Sequence, residues 1–155
     1  RKCLNPCLEL TGEKDILPGS TRNSKGIAMS ELFVLDSFAW VEYFLGSKKG
    51  EKVKGFIESN KCITPTIVVA ELSAKYSSDE KDFSDKLKFI KFNTNIAILN
   101  EEIASLSGKI KIRERKVKKD FGMADSIIYA TALTYKAKVI SGDPHFENIK
   151  EAIMV

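Results

Sequence analysis

Four acidic side chains stand where an acid is costly to keep. Asp36 follows the apolar run Leu32–Leu35, Glu71 lies inside IVVAELSA, Asp125 opens the stretch DSIIYATAL, and Asp143 follows KVISG. An acid among core-bound residues destabilises the fold unless something pairs with it. Each has an ordinary structural reading. Asp36 suits a helix-opening turn, Glu71 an exposed helix edge or a lysine partner, Asp125 the positive end of a helix dipole, and Asp143 a Gly-Asp-Pro turn. Their joint placement at strand ends and along apolar helices asks for a common reason. If the four converge within about 6 Å, each pair repels by about 3 kcal/mol at an effective dielectric near 20. Protons or a divalent cation must then enter. Oxygen donors favour Mg²⁺ or Mn²⁺ over Zn²⁺, and the chemistry that follows is metal-assisted phosphodiester hydrolysis with one or two ions.

The elements that must position these acids alternate along the chain. Leu32–Leu35 reads as a buried strand, and Ser37 as the cap of a helix running to Leu45. The stretch from Gly46 to Gly50 breaks it, and a second helix is expected over Glu51–Ser59. Cys62–Ile63 is a second strand, with Thr64-Pro65 opening a helix that carries Ile67, Val68, Leu72 and Ala74 to about Tyr76. Asp79–Phe92 is amphipathic, with Phe83, Leu87 and Ile90 inward, and Ile96–Leu99 is a third strand. Asn100 caps a long helix over Glu101–Lys119 whose stripe is Ile103, Leu106, Ile110 and Val117. A helix over Asp125–Lys136, a strand over Lys138–Ile140 and a last strand at Ile153–Val155 complete the series. Strands alternating with helices imply an α/β fold with a mostly parallel sheet covered on both faces. In such sheets the site lies at the carboxyl ends of strands, which singles out Asp36 and Asp143 before any chemistry is considered.

The composition of the 155 residues is globular, with 43% hydrophobic and 30% charged residues. No apolar run approaches the roughly 18 residues of a membrane span. Three cysteines preclude a fully paired disulfide framework and point to a reducing, cytoplasmic setting. A single histidine excludes a two-histidine ribonuclease and a multi-histidine zinc site. Residues 1–28 carry Pro, Gly, Ser, Thr and Asn at close intervals without periodicity, and read as a flexible leader or a vector-derived segment ahead of one domain over 29–155, with Met29 as the expected natural start. Cys3 and Cys7 within it lack the further ligands a metal site needs.

Four segments then carry a resemblance: VLDSFAWVEYF, PTIVVAELS, FGMADSIIYATAL and VISGDPHFENI, in that order. Together they resemble the PIN domain family, and within it the stand-alone VapC-type toxins of bacterial and archaeal toxin–antitoxin pairs. The likeness covers nearly all of residues 31–150. It implies a three-layer α/β/α sandwich, a metal-dependent endoribonuclease, a cognate antitoxin and a homodimer. Carried over residue by residue, it gives metal binding to Asp36, Glu71, Asp125 and Asp143, and a supporting role to Ser141.

The mechanism expected from that reading makes Asp36 and Asp125 the firmest Mg²⁺ or Mn²⁺ ligands. Asp143 completes the site directly or through water, and Glu71 holds a second ion or orients the attacking water. Three alternatives stay open: a PIN-like domain that binds RNA or protein without cutting, a DNA nuclease of related architecture, and a receiver-like signalling domain. The last wants paired acids after the first strand and an aspartate after a middle one, where this chain has a single Asp36 and an Asn100. His145 reads as a turn or helix-cap residue, with proton transfer a minor alternative. Cys62 reads as a buried strand residue. Tyr129 suits a core or dimer contact, with stacking on a base as the alternative. Phe38, Trp40 and Phe44 read as core, with part of that face suited to a partner helix.

Positive charge concentrates in KIKIRERKVKK over residues 109–119, which holds seven basic residues and one acidic one. Arg113, Arg115, Lys116 and Lys118 are the candidates for gripping RNA phosphates, and a solvated helix face is the equal alternative. Neutralising Arg113 and Arg115 together is expected to flatten the salt dependence of RNA binding. An unchanged slope in a salt titration would mark the segment as a solvated face.

Overall fold

The computed structural model describes residues 31–155; the expectations placed on residues 1–28, including Cys3 and Cys7, lie outside the described residues. Five strands form one sheet: β1 (Phe33–Leu35), β2 (Cys62–Pro65), β3 (Asn95–Ala97), β4 (Lys138–Ser141) and β5 (Ala152–Met154). Six helices connect them: α1 (Ser37–Leu45), α2 (Lys48–Glu58), α3 (Thr66–Ser78), α4 (Ser84–Asn93), α5 (Glu101–Glu114) and α6 (Met123–Thr134), with a short 3₁₀ turn at Pro144–Phe146. The strand order is β3-β2-β1-β4-β5 and every pairing is parallel. Receiver domains use the order 2-1-3-4-5, so the topology removes that alternative.

Helices cover both faces of the sheet. Val34 and Leu35 are consecutive in β1, point to opposite faces, and are both 0% exposed. Trp40, Val53, Ile57, Val68 and Leu72 join the core from the first three helices, and Ile103, Ile110, Ile127 and Ile128 from the last two. Helix α6 is buried almost all round from Ser126 to Ala132, which is why its sequence is apolar without a polar stripe. A polar chain runs through this core. The Trp40 indole N–H donates to Thr64 Oγ1 (3.2 Å), which lies 2.8 Å from Thr94 Oγ1, and Thr94 Oγ1 donates to the Ile90 carbonyl (3.0 Å). Every member has a partner, so α1, β2 and α4 are tied together with no buried group left open at these positions.

Several boundaries differ from the sequence reading for identifiable reasons. Asp36, rather than Ser37, caps α1. Thr64 and Pro65 belong to β2, and α3 starts one residue later. Pro65 is tolerated because β1 pairs only with Cys62 and Ile63, so its missing N–H interrupts no central ladder. Helix α4 starts at Ser84, where Asp82 accepts hydrogen bonds from the Ser84 N–H and hydroxyl. β3 ends at Ala97, and Ile98 and Leu99 are exposed. Helix α5 stops at Glu114 instead of Lys119, and Lys118, which continued helix would pair with Glu114, reaches the His145 and Glu147 carbonyls. The chain turns instead, and Val117, read as part of the apolar stripe, is 83% exposed. Ala74 is also exposed.

Gly50 was read as a breaker and is instead a buried residue within α2. A Cβ there would sit 2.2 Å from the Glu42 carbonyl oxygen and 2.9 Å from Tyr43 Cα, so only glycine permits α1 and α2 to approach so closely. Gly55, in the same helix, has nothing within 4 Å of its would-be Cβ. Gly50→Ala is therefore expected to destabilise the chain by roughly 1–3 kcal/mol through overpacking, while Gly55→Ala stabilises it by about 0.5–1 kcal/mol through helix propensity. Urea unfolding of both variants checks this, and equal effects of the same sign would contradict the close approach.

Candidate active site

The sheet order reverses at β1, with β2 on one side and β4 on the other. Open α/β sheets form their crevice at such a switch point, beyond the carboxyl ends of the two strands. Asp36 is the first residue after β1, and Asp143 follows β4 by two residues. Asp125 is in the first turn of α6, and Glu71 is near the middle of α3. The topology thus brings all four acids to one edge of the sheet.

Asp36 is the most enclosed, at 4% exposed. Its Oδ1 accepts from the Ser37 backbone N–H (2.6 Å), and its Oδ2 accepts from the Ser141 hydroxyl (2.5 Å). Ser141 Oγ in turn accepts the Asp143 backbone N–H at 2.9 Å, so one serine couples the end of β1 to the loop after β4. Asp143 Oδ1 accepts the His145 N–H (2.8 Å), which closes the Pro144–Phe146 turn. Gly142 lies against the Phe38 ring, where a Cβ would come within 2.3 Å of Cε1, and this holds the turn close to α1. Asp125 Oδ2 accepts from the Gly122 N–H at 2.7 Å, which fixes the start of α6. Glu71 opens, with Ser37 and Asp143, onto a cleft of about 300 Å³ that Lys75 and Glu42 also border. Its Oε2 is buried and has no hydrogen-bond partner.

The electrostatics follow from this enclosure. Burial pushes the Asp36 carboxyl up from 3.8 to about 6, against the hydrogen bonds from Ser141 and Ser37, and the charges of Asp143 and Asp125 push the same way. Glu71 is raised by burial, opposed by the Ser37 hydroxyl, and raised further by the charges of Asp36, Asp125 and Asp143. Asp125 is raised by burial and by Asp143, against its Gly122 bond and His145. The carboxylates act electrostatically on one another, while the donor atoms within 4.8 Å of one another belong to Asp125, Asp143 and His145, without Asp36 or Glu71. The basic group that contacts Asp125 and Asp143 is the His145 imidazole.

Two residues of this centre were missed as site residues. His145, read as a turn or cap, puts Nδ1 3.2 Å from Asp143 Oδ1 and 3.4 Å from Asp125 Oδ2. Its Nε2 lies 3.1 Å from Asp120 Oδ2. Donor atoms of Asp125, Asp143 and His145 all fall within 4.8 Å of one another, as a metal ion requires. The Asp120 bond and the neighbouring aspartate charges hold the imidazole above its ordinary range, against partial burial. The signal was the Asp-Pro-His order: a proline-opened turn after a strand returns the residue two beyond the aspartate to the same crevice.

The basic segment borders the site. Lys118 Nζ donates to the His145 and Glu147 carbonyls, each at 2.5 Å, and so clamps the turn that carries Asp143 and His145. Arg113 Nε donates to Glu114 (2.8 Å), and its guanidinium lies 5.7 Å from the Tyr129 ring centroid. Arg115 Nε donates to the Lys119 carbonyl (2.9 Å), and Lys116 is exposed. Tyr129 is buried, with its hydroxyl donating to Glu151 (2.8 Å), and Cys62 is a buried free thiol.

Comparison with known proteins agrees with this architecture. A family model described as the PIN domain matches residues 33–152. Among solved structures, the chain is similar to one in a toxin–antitoxin complex from Klebsiella pneumoniae (TM-score 0.62, 18% identity, covering 78% of this chain and 95% of that one). It is also similar to a chain of VapBC2 from Rickettsia felis bound to a promoter DNA fragment (TM-score 0.60, 17% identity, 80% and 97%). A third is in FitAcB from Neisseria gonorrhoeae (TM-score 0.59, 19% identity, 80% and 97%). No curated protein sequence matches the chain.

The raised Asp36 carboxyl has a stability consequence of fixed sign. The folded chain binds this proton more tightly than the unfolded one. The stability it contributes is complete below about pH 4 and is lost as pH rises through about 6. In metal-free buffer, Asp36→Asn is therefore expected to gain stability relative to the parent chain by roughly 2–3 kcal/mol between pH 4 and pH 8. Paired thermal unfolding across that range checks it, and a pH-independent difference between the two would contradict the burial of a costly charge.

Proposed function

The chain belongs to the PIN domain family, and from that premise we propose that it is a Mg²⁺- or Mn²⁺-dependent endoribonuclease, the toxin of a toxin–antitoxin pair. PIN domains are generally nucleases that use divalent metals. The observation that most supports the reading here is a set of carboxylates gathered at the β1/β4 switch point, three of them pushed up in pKa and one with a buried oxygen, Glu71 Oε2, that no protein group satisfies. A divalent cation answers both features. It neutralises the mutual repulsion and gives the orphaned oxygen a partner.

In this mechanism Asp36 and Asp125 would hold the ion together with Asp143, directly or through water, and Glu71 would hold a second ion or align the attacking water. The bound metal supplies Lewis acidity, which makes water a better nucleophile and offsets charge on the scissile phosphate. Ser141 acts as a positioning residue, holding Asp36 and the Asp143 loop at a fixed separation. Water attacks in line and the 3′ oxygen departs, leaving a 5′-phosphate and a 3′-hydroxyl without use of the 2′-hydroxyl. Arg113, Arg115 and Lys116 are exposed at the end of α5 and just beyond it, and are the candidates for holding the RNA backbone. Lys118 contributes chiefly by holding the Asp143–His145 turn in place.

The partner reading rests on the structural neighbours, which include chains of toxin–antitoxin complexes. An antitoxin helix has a matching surface in the half-buried rings of Tyr43, Phe44 and Phe89, whose centroids lie 5.5–6.0 Å apart beside Trp40 in the core. A homodimer and a cytoplasmic setting complete the proposal. Among the described residues, no helix is long and apolar enough to cross a membrane.

The purified chain with Mg²⁺ or Mn²⁺ is expected to cleave RNA and to leave matched DNA intact, with 5′-phosphate ends. Asp36→Asn and Asp125→Asn each lower the rate by at least about 100-fold while remaining folded. Cleavage that persists in both variants, or a 2′,3′-cyclic phosphate product, would contradict the mechanism. Metal-independent RNA binding without cleavage would favour the non-cutting alternative.

A further inference from the structure

We propose that His145 is a nitrogen ligand of the metal centre, held in register by Asp120, and that it biases the site toward Mn²⁺ over Mg²⁺. The inference rests on the metal-site reading above and goes beyond its all-oxygen donor set.

The geometry is that of a ligand in place. His145 Nδ1 stands 3.2 Å from Asp143 Oδ1 and 3.4 Å from Asp125 Oδ2. Adjacent donors on an octahedral ion with bonds of about 2.1 Å are about 3.0 Å apart and opposite ones about 4.2 Å, and the donor atoms of all three residues lie within 4.8 Å of one another. The opposite ring nitrogen, Nε2, faces Asp120 Oδ2 at 3.1 Å. Metal-bound histidines characteristically donate their second ring N–H to a carboxylate, which sets the tautomer and makes the other nitrogen a better donor. In the metal-free chain the Asp120 bond and the aspartate charges favour a protonated imidazole that faces both carboxylates from Nδ1. A dication that displaces the Nδ1 proton would be met there by Asp125 and Asp143 at once.

The backbone reinforces this placement. Asp143 accepts the His145 N–H at 2.8 Å. Lys118 holds the His145 carbonyl, and the ring packs edge-on to the buried Phe121, 6.1 Å between centroids. The imidazole is 26% exposed, restrained yet open to an entering ion. Mn²⁺ accepts oxygen ligands as Mg²⁺ does and stands at the weak end of the first-row series, whose later members imidazole suits best. As a transition ion it still takes a nitrogen donor more readily than Mg²⁺, which dehydrates reluctantly. One imidazole among carboxylates therefore discriminates between the two metals that the carboxylates alone accept.

His145 is the sole histidine of the chain, so a spectroscopic assignment is unambiguous. The untagged full chain is prepared with ¹⁴N- or ¹⁵N-histidine, loaded with Mn²⁺, and measured by electron spin-echo envelope modulation. The expected result is a directly coordinated nitrogen whose signal changes with the isotope. His145→Gln is expected to weaken Mn²⁺ binding by about 10–100-fold in calorimetric titration and Mg²⁺ binding by less than about 3-fold, with Asp120→Asn lowering Mn²⁺ affinity in the same direction. Mn²⁺ bound at full stoichiometry with no coordinated nitrogen overturns the inference and leaves the carboxylate site standing. Mn²⁺ that does not bind the parent chain at all overturns both.

Discussion

Repulsion among carboxylates held at one edge of a parallel sheet is the interaction on which the rest of this molecule depends. The strand order reverses at β1, so the chain must open a crevice between the ends of β1 and β4. Asp36 lies at the floor of that crevice, where water is largely excluded and an ionised carboxyl is costly. Asp125, Asp143 and Glu71 arrive from three other segments and raise that cost. No packing advantage explains such an arrangement. The fold tolerates it because the surrounding sheet and helices are buried and largely apolar, with the Trp40–Thr64–Thr94 chain satisfied throughout.

Small polar groups convert that strain into defined geometry. Ser141 gives its proton to Asp36 and accepts the Asp143 N–H, so two carboxylates from opposite sides of the crevice share one anchor. The Gly122 N–H fixes Asp125, and the Lys118 ammonium fixes the turn bearing Asp143 and His145. These contacts hold the acids without neutralising them: they are backbone or hydroxyl donors, and the ammonium is spent on carbonyls. Under the proposed function, a site whose acids are held in place this way is ready for a cation.

The sequence was informative wherever local chemistry had a single solution. Acids at the ends of apolar strands, and an acid inside an apolar helix, have few uses, so Asp36, Glu71, Asp125 and Asp143 stood out, and their order carried the family resemblance. The parallel sheet followed from strands alternating with helices. Information of three kinds was not local. The role of Gly50 depends on how closely two helices cross, which no periodicity encodes. The end of α5 at Glu114 goes with Lys118 reaching a turn distant in sequence, against an apolar pattern that continued to Val117. His145 joins the acidic centre through the path of a three-residue turn, with the Asp-Pro-His order as its one local cue, and Asp120 through an exposed loop with none. Lys118 looked like one more basic residue until its two carbonyl partners were placed.

The central claim is that folding creates a carboxylate pocket completed by a hard dication. Crystals grown with Mn²⁺ and measured for anomalous scattering at the manganese edge test it most directly. The account requires a strong anomalous peak between the Asp36, Asp125 and Asp143 side chains, within bonding distance of at least two of them. Carboxylates turned apart to solvent with no peak at saturating Mn²⁺ would contradict it.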